Sequence, residues 1–99
     1  MKINIQTVHF SINSNLQKYI EKRLSKLNLY YNRIVSIDLY LNLDNHNDQT
    51  NKSVELRVNI PGDDVVVGKK SESFEKSLDM AASSAERMLK RRKEKSRIS

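Results

Sequence analysis

Hydrophobic and polar positions change rhythm six times along the chain, and each rhythm predicts an element. Lys2–Val8 alternates, with Ile3 and Ile5, extended by Thr7, on one face and Lys2, Asn4 and Gln6 on the other, as a half-buried strand does. From Asn15 to Leu27, or a turn further, the period lengthens. Leu16, Tyr19, Ile20, Leu24 and Leu27 recur at the three- and four-residue spacing of an amphipathic helix. Asn13 or Ser14 is placed to cap it, since either side-chain oxygen can accept an orphan amide proton. Alternation returns in Ile34–Leu43, with Val35, Ile37, Leu39, Leu41 and Leu43 pointing one way. The polar run Asp44–Asn51 predicts a loop. Lys52–Ile60 is a third strand with Val54, Leu56, Val58 and Ile60 inward. Pro61-Gly62-Asp63-Asp64 predicts a turn, and Val65–Lys69 a short fourth strand. Beyond a cap at Ser71 or Ser73, Phe74, Leu78, Ala81, Ala82, Ala85, Met88 and Leu89 fall on one arc of a long final helix. Apolar periodicity ends in Lys90–Ser99, so this tail is predicted to fray.

The order is β-α-β-β-β-α. Each strand has one apolar face, which calls for an α+β fold: a four-stranded sheet carrying both helices on that single face. A right-handed crossover through the first helix makes strands one and two parallel if they are neighbours. Hairpins make the later strands antiparallel. The other sheet face, with Ser36, Asp38, Tyr40, Glu55 and Arg57, is left in water.

Charge sharpens this picture. The chain of 99 residues has a formal net charge of +6. Residues 16–33 hold five Lys and Arg against one Glu, and residues 87–99 hold seven against one, whereas residues 34–68 hold two against six acids. Lys18, Lys22 and Lys26 form one row beside the apolar stripe of the first helix, with Arg23 at its margin. On the second helix Lys76, Arg87 and Arg91 share a line, next to one bearing Glu72, Glu75, Asp79 and Glu86. Lys90, Arg92, Lys93 and Lys95 extend the positive charge. The negative C-terminal end of a helix dipole accounts for two or three such cations, but not for seven. Basic charge segregated onto two helices points to a polyanion as partner.

Other classes are excluded by what the chain lacks. There is no cysteine, hence no disulfide or thiolate metal site. The alternating N-terminus is no signal peptide, and no apolar run approaches the roughly 20 residues of a membrane span. A cytoplasmic domain with no membrane partner is expected. His9 and His46 have no further ligands at metal spacing. Asp44, His46, Asp48, Thr50 and Glu55 imitate a calcium loop, but Gln49 stands where such a loop requires glycine. Gly62 and Gly68 cannot build a phosphate-cradling loop, and no serine is paired with a histidine. A binding module without cofactor is therefore expected, not an enzyme. Tyr40 is the one aromatic facing outward from a strand, so shape and backbone recognition is favoured over base stacking on the sheet. Charge alone suits DNA as well as RNA.

The run Ile12-Asn13-Ser14-Asn15-Leu16-Gln17-Lys18-Tyr19-Ile20-Glu21-Lys22-Arg23-Leu24-Ser25-Lys26-Leu27, followed by Tyr31-Asn32-Arg33-Ile34, resembles the first helix of the ribosome hibernation promoting factors. That family includes the ribosome-associated inhibitors and is also labelled sigma-54 modulation proteins. Met1–Ile5, the Asp44–Lys52 loop, Leu78-Asp79, Arg87-Met88-Leu89 and the basic Lys90–Lys95 match in order. The resemblance implies a fold like that of double-stranded-RNA-binding domains. It implies a factor seated in the small-subunit channel of messenger RNA and the A- and P-site tRNAs, touching 16S rRNA through both basic helices. Such a factor silences and preserves ribosomes in stationary phase or stress.

Carried over onto this chain, the contacts are Lys22, Arg23 and Lys26 on the first helix and Arg87, Lys90, Arg91, Arg92 and Lys93 on the second. Lys18, Lys76 and Lys95 join them on charge alone. Residues 1–95 then form one rRNA-binding domain, with 96–99 a frayed basic tail, monomeric away from the ribosome. It resembles the short type, which does not pair ribosomes by itself. Two departures stand out: Ser83-Ser84 replaces a frequent Asp-Lys pair, and Val65–Val67 replaces glycine and histidine. Two other readings compete: a generic RNA-binding module, and a protein-interaction domain using the free sheet face.

Overall fold

The computed structural model describes residues 1–44 and 49–98. His46 and Asp48 of the calcium-like pattern, and the middle of the predicted loop, lie outside the described residues. Strand β1 (Lys2–Val8) leads to helix α1 (Ser14–Ser25) and a 3₁₀ turn (Lys26–Leu29). Strands β2 (Ser36–Leu43), β3 (Lys52–Ile60) and β4 (Asp63–Ser71) follow, then helix α2 (Phe74–Ile98). The sheet order is β1-β2-β3-β4. β1 runs parallel to β2, and the other two pairs are antiparallel. This is the α+β architecture that the alternation and the crossover rule predict.

Register explains the core. Ile3, Ile37, Val58 and Val65 lie in one row across the sheet, and Ile5, Leu39, Leu56 and Val67 in the next. All point to the face covered by the helices. Ile20 and Leu24 of α1, Leu27 of the 3₁₀ turn, and Leu78 and Leu89 of α2 are fully buried against them. Ala81, Ala82 and Ala85 keep α2 small where it meets the sheet. Burying each leucine contributes about 1.5–3 kcal/mol relative to exposure. Phe10 and Phe74 stack at 4.6 Å between ring centres and pin the β1–α1 connection to the start of α2.

The caps resolve as hydrogen bonds. Asn13 Oδ1 accepts from the Leu16 amide at 2.8 Å, and Ser73 Oγ accepts from the Lys76 amide at 3.1 Å. Ser71 is instead buried. Its hydroxyl lies 2.7 Å from that of Ser77, which donates to the Lys52 carbonyl. Ser77 thus enters the core arc of α2 as a satisfied polar group, a position that apolar periodicity cannot reveal.

Four expectations are corrected. Ile34, 8% exposed, enters the core and Val35, 62% exposed, does not. Regular alternation begins only at Ser36, so Val35 lies outside the strand that would have turned it inward. Tyr19 lies at the edge of the buried stripe, and its hydroxyl reaches Asp79 on α2. β4 starts at Asp63, leaving Pro61-Gly62 alone as the turn. Proline presets the first turn residue, and Gly62 takes φ +80°, a value that suits glycine at the second. The helical backbone of α2 continues to Ile98. Lys, Arg and Glu are strong helix formers, so loss of an apolar stripe there removes packing and not helicity.

Candidate nucleic-acid interface

The two helices run side by side in the same direction. Tyr19 of α1 meets Asp79 of α2, Arg23 meets Glu86, and the 3₁₀ turn after α1 meets Lys90 and Lys93. Along this seam the Tyr19 hydroxyl donates to the Asp79 carboxylate at 2.8 Å. That hydrogen bond, with partial burial, raises the phenol above its ordinary pKa. Arg23 Nη1 donates to Glu86 Oε1 at 2.7 Å, and its Nε lies 3.5 Å from Asp79.

Each basic residue singled out by the sequence can now be placed. Lys18, Lys22 and Lys26 stand exposed on the outer side of α1 and its 3₁₀ extension. Arg87, Lys90, Arg91, Lys93 and Lys95 are exposed along α2. Arg87 donates to the Ser84 hydroxyl at 3.0 Å. No ion pair answers any of these eight among the described residues. Three others differ. Arg23 is only 18% exposed, and its charge is answered inside the seam by two carboxylates, so it positions the helices against each other. Arg92 turns toward the β3–β4 hairpin and bonds Asp63. Lys76 pairs with Glu72 at 3.0 Å, an exposed pair that solvent screens and that opens readily.

The seam is therefore graded. Its first half carries Asp79 and Glu86 against Arg23, with Glu75 near Tyr19, while its second half, toward the C-terminal ends of both helices, carries Lys26, Lys90 and Lys93. Helix dipoles favour cations at that end. Cations outnumber acids there, Glu94 being the acid beside Lys90 and Lys93, and no ion pair answers the three lysines among the described residues, a balance that attracts an anionic backbone.

Sequence reasoning missed Lys69. It follows Val65 and Val67 in the inward phase of β4, but sits at the sheet edge. Together with Asp79, Met80, Ser83, Ser84 and Arg87 it lines a hollow of about 380 Å³. Two cations thus stand beside Ser83-Ser84, Lys69 from the strand and Arg87 from the helix. The available signal was a lysine where the strand pattern asks for an apolar residue.

The opposite sheet face has another character. Lys2, Asp38, Glu55, Arg57, Asp64 and Lys70 mix signs there, and a polar network runs among them. Asn4 donates to Asp38 Oδ1 at 2.8 Å, and Asn59 donates to Asp38 Oδ2 at 3.0 Å and to Ser36 Oγ at 2.8 Å. The bonds from Asn4 and then Asn59 hold the Asp38 carboxyl below its ordinary pKa of 3.8. Because the folded value is lowered, ionised Asp38 stabilises the fold fully above that ordinary value, and its contribution is lost as pH falls through the folded one. Asp38→Ala is expected to destabilise the fold by about 1–2 kcal/mol at pH 7, with the difference shrinking in acid. Urea titrations across pH check this. Nucleic-acid binding should be unchanged, since Asp38 lies on the far face.

Among the described residues no group of three or more His, Cys, Asp or Glu is placed to hold a metal ion. No described helix is long and apolar enough to cross a membrane.

Comparison with known proteins identifies relatives of this chain and structures of the same fold. The ribosome hibernation promoting factor of Pseudomonas putida is 25% identical over 95 residues, covering 96% of this chain and 89% of that protein. The ribosome hibernation promotion factor of Bacillus subtilis is 27% identical over 97 residues, covering 96% of this chain and 50% of that protein. Among solved structures, a ribosomal subunit interface protein from Coxiella burnetii superposes with a TM-score of 0.83 at 22% identity, covering 94% of this chain and 98% of that one. The N-terminal domain of Thermus thermophilus Protein Y gives 0.79 at 24% identity, covering 92% and 98%. These structures share the fold. Residues 3–97 match the family described as Sigma 54 modulation protein / S30EA ribosomal protein, and the chain belongs to that family.

Proposed function

We propose that this protein is a ribosome hibernation factor that binds the small subunit through the outer surfaces of α1 and α2. It occupies the channel of messenger RNA and tRNA and so silences and preserves idle ribosomes. Like the hibernation factors it resembles, it works by binding and not by catalysis. Its place of action is then the cytoplasm, its direct target 16S rRNA, and its free form a monomer. Residues 1–95 act as one rRNA-binding domain, with 96–99 as a basic tail.

The observation that carries this reading is the division of charge between the two faces. Lys18, Lys22, Lys26, Arg87, Lys90, Arg91, Lys93 and Lys95 stand exposed on the helix layer with no ion pair among the described residues, while the sheet face is balanced in sign. A phosphate backbone is drawn to the first surface and not to the second. The sheet face, with both signs mixed among its charges, offers a polyanion no comparable attraction.

Occupancy of the channel is tested by competition. Small subunits preloaded with messenger RNA and tRNA should bind the protein far less than empty ones. Duplex RNA of similar charge, added in solution, should displace it poorly. Equal binding to loaded and empty subunits would place the site elsewhere. Equal displacement by any RNA would reduce the protein to a generic RNA-binding module.

A further inference from the structure

Where the seam between the helices ends, charge is joined by an apolar feature that neither core nor solubility requires. In a 3₁₀ turn, residues three apart eclipse one another, so Leu27 and Tyr30 both turn toward the body of the protein and Leu29 turns out. Leu27 is fully buried, and the Tyr30 amide donates to its carbonyl at 3.0 Å. Leu29 is left 80% exposed, and the half-buried Tyr30 makes no side-chain hydrogen bond among the described residues. With Lys90, Lys93 and Glu94 of α2, they line a hollow of about 200 Å³.

A single exposed leucine is ordinary. A leucine and a tyrosine sharing one hollow with a carboxylate and two lysines, neither ion-paired among the described residues, make a specific chemical demand. The lysines call for an anion at the rim. Glu94 in the wall repels an anion inside the hollow and accepts N–H donors instead. The leucine and tyrosine offer an apolar surface for a flat, weakly polar group. A nucleotide meets all three demands at once, with phosphate on Lys90 and Lys93, base against Leu29 and Tyr30, and a base N–H to Glu94. A base within a duplex cannot, because its faces are stacked and its donors paired. An acidic peptide would bring its carboxylates against Glu94.

We propose that this hollow takes one unpaired, unstacked nucleotide of the RNA to which the helices bind. The proposal rests on the RNA-binding reading above and adds a base contact to a surface otherwise suited to backbone. Such a contact would fix register along the RNA, which phosphate contacts alone do not.

The test compares wild type, Leu29→Ala and Tyr30→Leu by fluorescence anisotropy across a salt series. The probes are a single-stranded RNA of about eight nucleotides and a blunt RNA duplex. Leu29→Ala changes only an exposed side chain, so it remains informative if Tyr30→Leu folds poorly. Both variants should bind the single strand about 5- to 100-fold more weakly, the range for loss of one stacked base. Their salt slope should be unchanged, because no phosphate contact is removed. Duplex binding should be unaffected. Equal single-strand affinity in wild type and variants, or an equal loss on both probes, would overturn the proposal. Sedimentation with small subunits separates the two claims. If wild type binds subunits and the variants lose nothing on the single strand, the nucleotide site falls alone. If wild type ignores subunits but the single-strand loss appears, the ribosomal reading falls and the site stands.

Discussion

Lys22→Glu combined with Arg91→Glu is expected to weaken binding to small subunits by about 100-fold or more, because a hydrogen bond to a charged group contributes about 1.5–3 kcal/mol. The two residues sit on different helices, both exposed and both without an ion-pair partner among the described residues. On the proposed reading, reversal removes two phosphate contacts and places two repulsive charges on the surface. Each lost contact should flatten the dependence of log K on log salt by about 0.7–0.9. Exposed substitutions of this kind change stability by no more than about 0.5 kcal/mol, so the melting temperature should hardly move. Filter binding or anisotropy with subunits, set beside thermal melting, reads both quantities. Loss of binding with an intact melt is the signature of a surface contact. Arg23→Glu should behave differently, lowering stability as well, because it would set a third acid against Asp79 and Glu86.

The largest effect on stability is expected from Leu24→Ala. Leu24 is fully buried where α1 packs into the core. Truncation removes its transfer free energy and leaves a cavity that the close-packed surroundings fill only in part, for a loss of about 2–5 kcal/mol. A domain of this size has about 5–15 kcal/mol in all. At about 4–8 °C per kcal/mol, the melting temperature should fall by about 8–40 °C. Ribosome binding should fall with it near the new transition, because the row of Lys18, Lys22 and Lys26 exists only while α1 is docked. Leu29→Ala provides the control. It is the same chemical change five residues on, at an exposed position, and should leave the melt within about 0.5 kcal/mol. Calorimetry on the pair distinguishes burial from helix propensity, which both substitutions raise slightly.

The architecture was readable because burial leaves a period. Ile37, Leu39 and Leu41, and likewise Val54, Leu56 and Val58, announce strands, and Ile20, Leu24 and Leu27 announce a helix, without reference to any other part of the chain. Val35 and Ile34 exchanged roles because a period holds only inside a regular element, and the strand begins two residues later, at Ser36. The rows of exposed lysines were readable for the same local reason. What escaped was pairing at a distance. Arg23 finds Glu86, Tyr19 finds Asp79 and Arg92 finds Asp63 across 29 to 63 residues of chain, and nothing in their neighbours encodes it. On charge alone Arg23 and Lys22 look alike, but the fold turns one into the seam and the other into water. Tyr30 escaped because it caps the end of an element, and Lys69 because it breaks the apolar phase of an edge strand, where the direction of a side chain is set by the packing of another element.

Co-sedimentation of the wild-type protein with purified small subunits through a sucrose gradient at near-physiological salt tests the central claim most directly. Stoichiometric comigration with the subunit peak is expected, abolished by Lys22→Glu with Arg91→Glu. Wild-type protein remaining at the top of the gradient would contradict the reading of the helix layer as a ribosome-binding surface.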